Sequence, residues 1–354
     1  MNRSSTTIRT ASLSLPLIDV AELIRATQRP DGEIPWTDGG KTDPWDHVEA
    51  AMGLNVVGHS HSARRAFEWS ATNQLPDGAW HSAYENGVPR DRTRESHMAT
   101  YIAVGVYHDF LIHRDRDLLR AMWPTVTAAV EFALRLQAAR GEVFWAVSPD
   151  GEVDPMALLT GASSVFMALK CAQAIAAELN ESRPRWAAAR HRLGHAIREC
   201  PHLFNMTKAR FSMDWFYPIL CGAATGEAAE RRLDQYWKKF VITGQGVRCV
   251  SDRPWVTIAE TCELCLTLCA MGLRNRAEIV FDWIVDRRYA DGAYWCGFTF
   301  PDMIIWPEDR LTWTNAAVLL AADAIYGLTP GGELFDHSFW RTLLPAPEAN
   351  GALS

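Results

Sequence analysis

Along most of the chain, apolar residues recur at three- and four-residue spacing, the period of an amphipathic helix. Segments such as Ala121 to Gln137 and Leu158 to Leu179 hold that spacing and are rich in Ala and Leu, both strong helix formers. No alternating β-branched run is long enough to build a sheet, so the pattern predicts an all-α chain. Twelve helices are expected, near 17–28, 46–57, 61–74, 94–113, 117–138, 157–179, 184–200, 214–222, 226–240, 255–271, 274–288 and 311–326, with a last short one near 332–342. Residues 1–16 read as a flexible lead-in and 343–354 as a tail, around one domain.

The links between these helices alternate in length. After even-numbered helices they are short: His59–Ser60, Arg114–Arg116, Asn180–Ser182, Met271–Leu273. After odd-numbered helices they are long, beginning near Arg29, Leu75, Ala139, Pro201, Val241 and Tyr289. Six hairpins joined this way close most simply into an (α/α)6 toroid. The odd helices then lie outside, the even ones inside, and all long loops emerge on one face above the inner-helix N-termini.

A repeated turn supports this arrangement. Three odd helices end alike: Gln28-Arg-Pro-Asp-Gly32 with Trp36, Gln74-Leu-Pro-Asp-Gly78-Ala-Trp80, and Gln137-Ala-Ala-Arg-Gly141 with Trp145. A fourth, Asp291-Gly292-Ala-Tyr-Trp295, keeps the Gly and Trp but not the Gln. Gly permits a left-handed helix end, Asp-Gly makes the turn, and the Trp packs back on the helix. Trp80 and Trp295 therefore read as architectural. The chain holds fifteen tryptophans in 354 residues, and each buried indole N–H needs a partner.

Arg65-Ala66, Trp69, Gln74, Gly78 and Trp80 resemble the QW repeat of squalene-hopene-type terpene cyclases, with Ser70 where an aliphatic residue is expected. That resemblance implies a stabilising, non-catalytic motif of an α/α barrel. The whole chain also resembles bacterial proteins labelled "prenyltransferase" and the six-hairpin glycosidases. The segments carrying this second likeness are Ser212-Met-Asp-Trp-Phe-Tyr-Pro218, Arg248-Cys-Val-Ser-Asp-Arg-Pro-Trp255, Ala259-Glu-Thr-Cys-Glu263, and Trp306-Pro-Glu-Asp-Arg310 with Thr312-Trp-Thr314.

Isoprenoid chemistry makes demands this sequence does not meet: neither Asp-x-Asp-Asp nor Asp-Asp-x-x-Asp occurs. The nearest match to a zinc-holding Asp-x-Cys pair is Glu260-Thr-Cys262, and Cys262, Cys265 and Cys269 are spaced as small core residues of one helix. No metal or cofactor is expected. Carbohydrate chemistry asks for two carboxyl groups with aromatic platforms, and the loop face offers both. Acids at or before inner-helix starts are Asp43, Asp46, Glu95, Glu142 with Asp150 and Asp154, Asp214, Asp252, and Glu308 with Asp309; Glu260 is a further candidate for substrate binding. Several also suit N-cap or first-turn positions, Asp46 and Asp214 above all. Trp45, Phe144 with Trp145, Trp215, Trp255 and Trp306 stand beside these acids, the pattern of a rim of stacking rings and hydrogen-bonding carboxylates. Arg248 and Arg253 flank Asp252, either to bind an anionic group of a substrate or to pair with the acid. His97 reads as a core histidine or a cavity residue.

The glycosidase resemblance implies, by topology, a general acid from the third long loop and a base from the sixth. That nominates Glu142 as acid, with Asp150 and Asp154 as rivals, and Asp309 or Glu308 as base. The expected function is an inverting glycoside hydrolase acting on a small-molecule or oligosaccharide substrate. A terpenoid cyclase or prenyltransferase-like enzyme, and a glycan- or lipid-binding toroid without catalysis, remain as alternatives. With 35 Lys and Arg against 42 Asp and Glu, the net charge of −7 argues against a nucleic-acid partner. No apolar run reaches the roughly 18 residues of a membrane span. Eight cysteines and the lack of a secretory signal in Met1–Leu17 place the chain in the cytoplasm.

Overall fold

Two kinds of helix alternate along the chain, told apart by how many of their faces are apolar. The structure, a computed structural model, describes residues 7–9 and 14–344. In order the helices are α1 (Leu17–Thr27), α2 (Pro44–Val56), α3 (Ser60–Asn73), α4 (Ser96–His113), α5 (Arg116–Arg135), α6 (Leu159–Glu178), α7 (Pro184–Glu199), α8 (Ser212–Leu220), α9 (Gly226–Phe240), α10 (Ile258–Ala270), α11 (Arg274–Asp282), α12 (Thr312–Tyr326) and α13 (His337–Leu343). The even-numbered helices α2 to α12 are buried on nearly every face. The odd ones keep a charged outer face; α9, for example, buries only Ala229, Leu233 and Phe240. That is the division expected of a double ring, in which an outer helix has one apolar stripe and an inner helix is apolar nearly all round.

The inner helices contact one another in the closed cycle α2, α4, α6, α8, α10, α12 and back to α2, and α1 packs on α12. The (α/α)6 toroid expected from link lengths is therefore the fold. Among the described helices, α6 is long and apolar enough to cross a membrane; it is an inner helix, with 83% of that stretch buried in the barrel. The expectations for residues 1–6, 10–13 and 345–354 lie outside the described residues. Thr7–Arg9 and Ser14–Pro16 pair as antiparallel strands.

Each long loop is hydrogen-bonded to the next. Lys41–Thr42 of the first loop pairs with Ala83–Glu85 of the second, and Arg94–Glu95 pairs with Ala146–Val147 of the third. Asn205 N–H donates to the Ala157 carbonyl, Phe211 bridges Val250, and Trp255–Thr257 pairs with Gly297–Thr299. The Thr312 N–H and hydroxyl close the circle on the Trp36 and Pro35 carbonyls, at 2.9 and 2.7 Å. All six loops thus share one face. The sequence shows no sheet because these strands are two to four residues long, too short for a period, and form where loop amides need partners. α11 also ends six residues before the expected 288. Trp283 and Ile284 donate to the carbonyls three residues back, tightening the last turn while the apolar spacing continues.

The Gln turns are staples between neighbouring outer helices. The Gln28, Gln74 and Gln137 amides each donate to the carbonyl of their own Gly and to one on the next outer helix: Ser62, Thr125 and Ala189 respectively. At Gly78, φ is +92° and a Cβ would collide with the Ala128 carbonyl, so only glycine lets the turn approach α5. Trp80, 3% exposed, donates its indole N–H to the Ser70 carbonyl at 2.9 Å.

Candidate active site

The start of α2 sets the centre of the loop face. Asp43 caps the helix by accepting from the Asp46 N–H at 2.9 Å, and Pro44 begins the first turn. Three-residue spacing then puts Asp43, Asp46 and Glu49 on one face, towards the axis. The same spacing on α10 presents Glu260 and Glu263. These five carboxyl groups line one cavity of about 400 Å³, with Trp36, Lys41, Trp45, His97 and Trp313.

The aromatic side chains are tied to the acids. The Trp36 indole donates to Asp43 Oδ2 at 2.9 Å and the Trp45 indole to Glu49 Oε2 at 3.1 Å. Tyr217 donates its hydroxyl proton to Glu263 Oε1. Trp45 stacks on Tyr101 at 4.6 Å, and Trp36 meets Trp313 edge-on at 5.7 Å, with Lys41 Nζ 3.7 Å from the Trp36 ring centre. Glu260 Oε2 and the Trp313 indole nitrogen are buried without a protein partner. Sugar hydroxyls would supply what both lack.

Crowded acids away from bulk water cannot all ionise. Burial, then the charges of Asp43 and Glu49, holds Asp46 well above the usual carboxylate range, and its carboxyl is hydrogen-bonded to Asp43. Burial pushes Glu49 up to about 7, against the lowering effect of the Trp45 indole. Burial, then Glu260 and Glu49, raises Glu263 strongly. Burial drives His97 down to about 4, so it is neutral beside the cavity. Burial and mutual repulsion thus favour the protonated form of these carboxyls, as a general acid requires.

Around the cavity the two halves differ. The arc α10–α12–α2 carries the five acids and Trp313; the arc α4–α6–α8 brings Met98, Leu158, Thr160, Gly161 and Met213. Gly161 leaves room for the His97 ring, 3.1 Å from where a Cβ would stand.

Of the residues singled out in the sequence, Asp43, Trp45, Asp46, His97 and Glu260 line the cavity. Glu95 stands at its edge, 3.2 Å from His97 Nε2, with burial raising it to about 7. Asp214 lies behind the wall, where it accepts from the Thr160 N–H and hydroxyl and so holds a cavity residue in place. Trp215 is turned outward, stacked on Phe240 with its indole on the Arg232 carbonyl. Trp145 joins the start of α4, its carbonyl accepting from Ser96. Trp255 donates to the Trp306 carbonyl at 2.8 Å, and Trp306 is 59% exposed on the loop face. Asp252 and Arg253 are exposed, Asp252 pairing with Arg210.

The expected pairing of Glu142 with Asp309 or Glu308 needs correcting. Glu142 is 1% exposed, but it follows the Gly141 turn at the end of an outer helix and pairs with Arg140 at 2.8 Å. Glu33 occupies the matching place after Gly32 and pairs with Arg29, so the acid belongs to the repeat and not to the cavity. Asp150, Asp154, Glu308 and Asp309 are exposed and absent from the lining; the residue that enters the cavity from the sixth loop's end is Trp313. Glu49 and Glu263 were missed because they lie inside helices, one turn below residues that were named. Their signal was the spacing Asp43-x-x-Asp46-x-x-Glu49 and Glu260-x-x-Glu263.

The closed six-hairpin ring, with acids and stacking rings at its loop face, defines the class of (α/α)6 toroid proteins. Solved structures share the ring across most of the chain. A D-mannose isomerase superposes with a TM-score of 0.69 at 10% identity, covering 88% of this chain and 96% of that one. A GH63 mannosylglycerate hydrolase from Thermus thermophilus, in complex with glucose, gives 0.66 at 12% identity, covering 86% and 98%. A glycosidase in complex with glucose gives 0.66 at 17%, covering 88% and 98%. No family profile matches the chain. The sequence is 48% identical over 315 residues, 89% of this chain and 87% of the relative, to the MMP endo-(1,4)-3-O-methyl-alpha-D-mannosidase of Mycolicibacterium hassiacum. The chain belongs to the family of that mannosidase, among the glycoside hydrolases. The prenyltransferase likeness finds no support in these relatives, and a cavity crowded with carboxyl groups does not suit an isoprenoid.

Proposed function

We propose that the protein is an endo-acting hydrolase of α-(1,4)-linked 3-O-methylmannosides that inverts the anomeric carbon, with Asp46 as proton donor and Glu260 as base. The observation carrying this reading is one sugar-sized cavity lined both by Asp46 on α2, whose proton affinity burial and neighbouring acids raise, and by Glu260 on α10, which has a buried oxygen without a protein partner. Asp46 gives its proton to the glycosidic oxygen as the C1–O bond breaks. Glu260 takes a proton from a water whose oxygen attacks C1 from the opposite side. Asp43, hydrogen-bonded to Asp46 and fixed by the Trp36 indole, holds the donor in place. Helices α2 and α10 are not neighbours in the ring, since α12 stands between them. That separation supports the wider spacing, roughly 6.5 to 9.5 Å, that an inverting pair needs for its water. Eight free cysteines suit a reducing compartment and support a cytoplasmic location.

The test uses an α-(1,4)-linked 3-O-methylmannose oligosaccharide, with the first-formed anomer read by proton NMR. Asp46→Asn and Glu260→Gln are each expected to lose about 10²- to 10⁴-fold in turnover, and the wild type to release the β-anomer first. Full turnover in both variants overturns the assignment of the pair. Release of the α-anomer first overturns inversion.

A further inference from the structure

The division of the cavity into an acidic arc and an aliphatic arc has no use in the hydrolytic step itself. Proton donor, base and the buried Trp313 indole all belong to α2, α10 and α12. Opposite them stand Met98 at the start of α4, Leu158 before α6 and Met213 at the start of α8. The three come from three separate inner-helix starts and converge on one wall. None is at the protein surface by accident of a loop: Met98 and Met213 also pack on the core, and all three are half-buried. Hydroxyls of an unmodified sugar gain nothing from Met98, Leu158 and Met213 themselves, because against these three side chains they would lose water without finding donors or acceptors on them. A methyl ether does gain. It has no proton to donate, it buries apolar surface, and a thioether side chain adapts its shape to it.

Ring geometry agrees with this. With C1 held between Asp46 and Glu260, C3 lies two bonds from the anomeric carbon, which leaves its methyl ether free to meet lining other than the two acids. We propose that Met98, Leu158 and Met213 form the methyl-ether recognition wall of this enzyme and set its preference for a 3-O-methylated over an unmethylated mannose. The proposal rests on the reading of the chain as a hydrolase of such mannosides. His97 belongs to the same wall but is held by Trp45 and Glu95, so it shapes the rim and does not meet the methyl group.

One buried methyl group is worth roughly 10- to 200-fold in discrimination. The experiment compares kcat/KM on two α-(1,4)-linked oligosaccharides of equal length, one of 3-O-methylmannose and one of mannose. The wild type is expected to favour the methylated chain at least about tenfold. Met98→Gln and Met213→Gln, nearly equal in volume but polar, are each expected to lower that ratio, and Met213→Leu to keep it. Should a variant turn over too slowly to score, the binding ratio of the two oligosaccharides in a Glu260→Gln background supplies the same measure. A wild type that cleaves both chains equally overturns the wall while leaving the hydrolase reading in place, as does an unchanged ratio in both Gln variants. A wild type that cleaves neither chain overturns the hydrolase reading, and the wall falls with it.

Discussion

Glu49 keeps its proton up to about pH 7 although the ordinary value for a glutamate is 4.5. Its folded-state affinity for the proton exceeds that of the unfolded chain, so stability is lost as pH rises from about 4.5 through 7. Glu49→Gln should therefore raise the melting temperature at pH 8, by the equivalent of at most roughly 3 kcal/mol, and leave it unchanged at pH 4. Differential scanning calorimetry at the two pH values decides this, and an equal shift at both would show the effect is packing. The same substitution removes a negative charge that helps hold Asp46 protonated. The alkaline limb of kcat/KM, where the donor loses its proton, is then expected to move to lower pH in Glu49→Gln. A limb that stays in place would separate Asp46 from the acid role. At this scale the sequence is half legible. Asp43, Asp46 and Glu260 are visible as acids at inner-helix starts, whereas Glu142 stands out for its mid-loop position, with no sign in the chain that Arg140 would neutralise it.

The Gln-Gly-Trp turns show what a repeat does when it is purely structural. Trp80→Ala removes a buried indole and its bond to the Ser70 carbonyl and should cost roughly 3 to 5 kcal/mol. Gln74→Ala loses two hydrogen bonds that tie α3's end to α5, about 0.5 to 1.5 kcal/mol each. Urea midpoints measure both, while turnover per folded molecule should stay at the wild-type level. Glu142→Gln belongs with this group: its expected effect is a lowered midpoint with turnover retained, and a selective loss of turnover would return Glu142 to the chemistry. The helices are legible because their apolar period runs over many turns. The loop strands and the early end of α11 are not, since each is decided by a few backbone bonds that leave no periodic trace.

At the scale of the whole ring, the alternation of short and long links points to the fold, because six helical hairpins with every long loop on one side close most simply into a double ring. The composition of the cavity is not predictable that way; it depends on which face each inner helix turns inward. A chain ending at Tyr289, and so lacking α12, is expected to bind 1-anilinonaphthalene-8-sulfonate strongly and to elute from a sizing column as an expanded species. A compact, non-binding fragment would show that the other hairpins hold the ring without it. The bond between Thr312 and Pro35 spans 277 residues of chain. It also has a consequence for how the protein is made. Translation delivers α2 early and α12 some 270 residues later, the interval from Val56 to Tyr326. At about 5 to 20 residues per second, the flank of α2 that α12 will cover waits on the order of 15 to 50 s on the ribosome. During that time one flank of α2, beside Asp46, has no helix packed on it, so the nascent chain offers chaperones an apolar seam and the ring stays open.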